Sequence, residues 1–83
     1  MNVIKRSGEE VTFTPEKIDA AVRKANAATN PKKRIDDSTI TQIVSRVLQK
    51  CNSLHRSVGV EEIQDMVETE IMAEGGYAVA KNY

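Results

Sequence analysis

Aromatic side chains are nearly missing from this 83-residue chain: it has no tryptophan, one phenylalanine (Phe13) and two tyrosines (Tyr77 and Tyr83). Any core must therefore be assembled from Ile, Val, Leu and Ala. The single cysteine, Cys51, excludes an intrachain disulfide and a thiolate-rich zinc site. It continues an apolar helical stripe and reads as a buried small hydrophobe. The single histidine, His55, sits in a polar stretch beside Arg56 and has no nucleophile at a suitable position, which argues against a catalytic dyad. No apolar run is long enough to span a membrane, and the N-terminus lacks the apolar stretch of a signal peptide. A cytoplasmic setting without membrane contact is the expectation. A phosphate-cradling GxxxxGK[ST] loop is absent, and Gly8 and Gly75-Gly76 lack the strand context of a dinucleotide fingerprint. A nucleotide would have to be held by another device.

Opposite charges cancel overall, with 12 Lys/Arg against 12 Asp/Glu, but they are unevenly placed. Residues 1–56 carry 11 Lys/Arg and 6 Asp/Glu, whereas residues 57–83 carry 1 Lys and 6 acids. Such asymmetry suits either a basic surface for a polyanion or two halves that attract each other once folded. Non-specific nucleic-acid binding needs many unopposed cations and is not expected. The length fits one small domain, residues 1–83, with a modest core.

Residues 1–13 read as a β-hairpin, with Asn2–Lys5 and Val11–Phe13 as strands around Ser7-Gly8. A lone hairpin is marginal in water and must pack on the remainder of the chain. Thr14 as N-cap, Pro15 at the first helical position and Glu16 in the first turn open a helix to about Ala28. Ile18, Ala21, Val22 and Ala25 form its apolar stripe. Lys32-Lys33-Arg34 makes a basic connector, and Asp36-Asp37-Ser38 opens a second helix with Ile40, Ile43, Val44, Val47, Leu48 and Cys51 on one face. Asn52 to Gly59 reads as a polar loop. Val60, Ile63, Met66, Val67 and Ile71 mark a third helix, whose acids, among them Glu61 with Asp65 and Glu62 with Glu70, read as a solvated or partner-facing side rather than acid–base pairs. Gly75-Gly76 breaks it before a fourth helix from Tyr77, which ends in mid-pattern as a piece of a longer chain would. The fold class expected is α+β, an N-terminal β-hairpin packed on a small bundle of about four helices.

The candidate chemistry lies at the hairpin and the first helix. Lys5 and Arg6 point to opposite faces of a strand, so one of them can converge with Lys17 near a helix N-terminus. Cations beside exposed backbone N–H groups suit a polyphosphate, with Val3, Val11 and Ile18 flanking a base. By spacing alone, solvated surface charge is the more ordinary reading of Lys5, Arg6 and Lys17.

Val3-Ile4-Lys5-Arg6-Ser7-Gly8, followed by Phe13-Thr14-Pro15-Glu16-Lys17-Ile18, resembles the opening of the ATP-cone family, with Ser7 where the family usually has Asp. Val60 to Glu68 is similar to that family's third-helix segment, and Tyr77 to Tyr83 to its last helix. The resemblance covers essentially the whole chain. It implies a non-catalytic regulatory domain that binds ATP or dATP, with Mg²⁺, and reports their balance through oligomeric state. Its best-known host is a ribonucleotide reductase, so the implied partners are the nucleotide, the remainder of a reductase chain and its oligomeric neighbours. By position it implies nucleotide contacts at Val3, Lys5, Arg6, Lys17 and Ile18, with Thr14 near the base and further contacts near Val60 and Gln64. The alternatives are a small helical DNA-binding module, supported by Lys32-Lys33-Arg34, and a protein-interaction module with no ligand. Against the first, the third helix is acidic and the second offers few long polar groups for reading bases.

Overall fold

The computed structural model describes residues 2–83. Strand β1 (Asn2–Ile4) turns back into β2 (Glu10–Thr12), with Val3 opposite Val11 and Ile4 opposite Glu10. The turn closes through Lys5, whose N–H donates to the Glu9 carbonyl at 2.8 Å and whose carbonyl accepts from Gly8 at 2.9 Å. Gly8 has φ +89°, the left-handed region where a side chain is disfavoured. β1 therefore stops one residue short of the expected Lys5, and β2 is shifted one residue toward the turn, starting at Glu10 and ending before Phe13.

A third strand, β3 (Val58–Gly59), pairs parallel to β1 on its other side, with Val58 opposite Val3 and Gly59 opposite Ile4. It corrects the reading of Asn52–Gly59 as loop throughout. Two residues carry no period, so only the presence of β1 beside them makes a strand. This strand positions the site, because it runs without a break into α3 (Val60–Ala73).

Helix α1 (Pro15–Ala27) starts at Thr14 in extended conformation, yet the Thr14 side chain makes no capping hydrogen bond. Pro15 at the first position has no N–H to satisfy, and the Lys17 N–H donates to the Thr14 carbonyl at 3.1 Å instead. The other end is closed by side chains: Arg34 donates to the carbonyls of Thr29 and Ala27, both at 2.8 Å. Asn26 exchanges two hydrogen bonds with the Ile35 backbone, at 2.9 and 3.0 Å. The basic connector becomes a single 3₁₀ turn, Pro31–Lys33. Helix α2 (Asp37–Ser53) is capped by Asp36, which accepts from the Thr39 N–H at 3.2 Å and from its hydroxyl. Helix α4 (Tyr77–Asn82) follows Gly75 and Gly76. Gly75 adopts φ +78°; its N–H reaches the Met72 carbonyl and that of Gly76 the Ile71 carbonyl, at 2.9 and 3.0 Å. These are the two bonds of a Schellman ending.

One aliphatic core joins all layers: Val3 from the sheet, Ile18, Val22 and Ala25 from α1, Ile40, Ile43 and Val47 from α2, Ile63, Val67 and Ile71 from α3, and Val79 from α4. Cys51 is among them, 2% exposed. One acid departs from the solvated face expected of α3. Glu70 is buried and lies 3.3 Å from Arg46 Nε and 3.4 Å from Lys50 Nζ, tying α3 to α2. Its i+3 and i+4 neighbours, Ala73 and Glu74, lie at the helix end, where Glu74 meets the same arginine at 2.5 Å.

Candidate functional site

Because β1 and β3 are parallel and β3 continues into α3, the end of β1 comes to rest against the first turn of that helix. A groove of about 410 Å³ forms there, lined by Ile4, Lys5, Arg6, Gly59, Val60, Glu61 and Glu62. Arg6 Nε stands 3.3 Å from Glu61 Oε1, both side chains largely in solvent. Glu62 is gripped at two points by Arg56, at 2.9 and 3.3 Å. That hydrogen bonding holds the Glu62 carboxyl below the usual range and the Arg56 guanidinium above its own. On the far edge of the sheet, Glu10 accepts from Ser57 and Asn2, which also lowers its carboxyl.

One turn along α3 lies a second groove, of about 340 Å³, between α1, α3 and α4. Its lining is Ala21, Lys24, Ala25, Ala28, Gln64, Asn82 and Tyr83. Three alanines leave room that longer side chains would fill. Val60 and Gln64 are spaced i, i+4 and share a face of α3, one in the lining of each groove. Lys17 stands one turn before Ala21 on α1, at the same spacing. Burial pushes the Tyr83 phenol up, with Glu68 adding to it, and Asn82 is anchored by donating to Thr29 Oγ1 at 2.9 Å.

Of the residues singled out from sequence, Lys5, Arg6 and Val60 share the first groove, and Gln64 opens the second. Val3 and Ile18 are each 3% exposed and belong to the core beneath. Thr14 and Lys17 are exposed and line neither groove. The N-terminus of α1 instead borders a separate depression formed by Pro15, Glu16, Asp19, Ala20, Arg23 and Val44. Lys24, Asn82 and Tyr83 join the lining without having stood out in the sequence. The one available signal is the i, i+4, i+7 row of Lys17, Ala21 and Lys24, which the apolar stripe of the same helix masks.

Other constellations offer less. The depression beside Cys51 and His55 is lined also by Asn2, Asn52, Arg56 and Ser57. Burial raises the Cys51 thiol, whose Sγ lies 3.8 Å from Met66 Sδ, so a thiolate is disfavoured. Among the described residues no group of three or more His, Cys, Asp and Glu can hold a metal ion, and no helix is long and apolar enough to cross a membrane.

Comparison with known proteins finds relatives over essentially the whole of this chain. The alpha subunit of ribonucleoside-diphosphate reductase from Chlamydia trachomatis serovar D is 37% identical over 91 aligned positions, covering 100% of this chain. The corresponding subunits of Chlamydia muridarum and Chlamydia pneumoniae are each 39% identical, over 100% and 98% of the chain. The chain spans only 8–9% of the length of these relatives. A family model described as the ATP cone domain matches residues 1–83; the chain belongs to the ATP-cone family.

Proposed function

We propose that residues 1–83 form one regulatory domain of a longer, cytoplasmic reductase chain, binding ATP or dATP as an effector and leaving catalysis to the rest of that chain. The observation that carries this reading is the pair of grooves one turn apart on α3, with cations at the β1 end and an alanine lining between α1, α3 and α4. Their sizes fall in the ordinary range for small-molecule sites, about 300–1,000 Å³. The phosphates belong with Lys5 and Arg6 of the first groove, whose charges suit them; Lys17, outside both grooves, adds a further cation from the start of α1. The base belongs beside Gln64 and Tyr83 in the second groove, with Val60 one turn back on α3. Mg²⁺ fits as a companion of the phosphates. The carboxylates of the first groove, Glu61 and Glu62, each face an arginine, so among the described residues this groove offers no dedicated oxygen cage.

Regulation then arises from linkage. ATP and dATP compete for the site, and each stabilises a different arrangement of the domain toward its oligomeric neighbours. Only a difference in affinity between the two arrangements shifts their populations. Isothermal titration of the chain with ATP and dATP in Mg²⁺ tests the reading, alongside a Lys5→Ala/Lys17→Ala variant. Micromolar binding abolished by the double substitution is the expected result. Absence of heat with either nucleotide overturns it.

A further inference from the structure

The first groove contains cations for an anion, yet it already holds one. Among the described residues, Glu61 is the carboxylate within ion-pair distance of Arg6, at 3.3 Å and through a single nitrogen. Both side chains are more than 70% exposed, which makes the pair weak and readily exchanged. Glu62, the next residue, is different: Arg56 holds it through both terminal guanidinium nitrogens, at 2.9 and 3.3 Å, a geometry that resists exchange.

We propose that Glu61 is the resident counter-ion of the phosphate site, a carboxylate that Arg6 releases when phosphate oxygens arrive. This role rests on the nucleotide reading of the same groove and deepens it. A phosphate presents two oxygens to the planar guanidinium fork and carries more charge than a carboxylate, so it wins Arg6. Like-charge repulsion then drives Glu61 out toward solvent. Glu61 thereby sets affinity, because every phosphate ligand must displace it. It also transmits occupancy, because its release adds an unpaired negative charge to the exposed α3 face that already carries Asp65, one turn on. An empty site presents that face partly neutralised by Arg6; an occupied one presents it fully acidic.

The test is titration of wild type, Glu61→Gln, Glu62→Gln, Arg6→Ala and Arg6→Ala/Glu61→Gln with ATP, inorganic triphosphate and adenosine. Glu61→Gln is expected to bind ATP and triphosphate about two- to fivefold more tightly at low salt, the size of an exposed ion pair. The gain fades at 1 M salt, where the screening length is ~3 Å. Adenosine, with no phosphate, shows no change. The gain disappears in the Arg6→Ala background, which separates competition for Arg6 from plain repulsion. An equal gain from Glu62→Gln, or a gain that survives Arg6→Ala, overturns the counter-ion role while leaving the nucleotide site standing. Failure of ATP and triphosphate to bind any variant removes both the nucleotide site and its counter-ion.

Discussion

The two ends of α3 use the same residue types for opposite purposes. At its start, Glu61 and Glu62 meet Arg6 and Arg56 in open solvent. At its end, Glu70 and Glu74 meet Arg46 and Lys50 with Glu70 buried. Burial decides what each set does. An exposed pair contributes little to stability and can be exchanged for a ligand. A buried carboxylate that loses its partners keeps the full cost of desolvation, so the pair must stay closed. The rigid end also carries the Gly75-Gly76 ending, while the labile end rests on β3, a strand of two residues.

The contrast can be broken most severely at the rigid end. A methyl group at Gly76 would lie 3.0 Å from Ile71 Cγ2, 3.1 Å from Ile35 Cγ2 and 3.2 Å from the Ile71 carbonyl. Gly76→Ala is expected to destabilise by about 1–3 kcal/mol, as overpacking does, measured by urea unfolding. A loss below that range would mean that the α3–α4 corner relaxes freely. Next in size, Glu70→Ala removes the carboxylate that Arg46 and Lys50 share, leaving Arg46 with Glu74 alone and Lys50 without that partner. Because both cations are partly exposed, the expected loss is about 1–2 kcal/mol rather than the 3–5 of a fully buried pair. Glu61→Ala in the same assay is expected to change the unfolding midpoint little, and equal losses at the two positions would erase the distinction.

The smallest effect concerns pH. Glu62 has its folded pKa depressed, first by hydrogen bonding from Arg56. Its contribution is thus present above the unfolded carboxyl value and lost as pH falls through the lower folded one. Thermal midpoints followed downward from pH 6 should fall slightly more steeply in wild type than in Arg56→Ala. Parallel curves would show that this exposed pair has no thermodynamic weight.

Much of the architecture was legible because helices advertise themselves locally. The stripes of Ile40, Ile43, Val44 and Val47, or Ile63, Val67 and Ile71, announce both the helix and its buried side. Asp36 and Gly75-Gly76 mark ends by chemistry that needs only near neighbours. The lining of the candidate grooves was legible in part: Lys5 and Arg6 stood out as paired cations on a strand end, and the family resemblance named Val60 and Gln64. Lys24 and Tyr83 did not stand out, since a lysine on a helix and an aromatic near a chain end are ordinary features until a neighbouring helix makes a groove of them.

By itself, then, the sequence determined the helix faces, the aliphatic core, the hairpin turn at Gly8 and the family. Tertiary structure alone decided three things: that Val58-Gly59 is a strand, that Glu70 is buried, and that Arg6 faces Glu61 across the mouth of a groove. Each depends on segments distant along the chain, where pairing partner, burial and counter-charge are supplied by packing and leave no period or motif in the residues themselves.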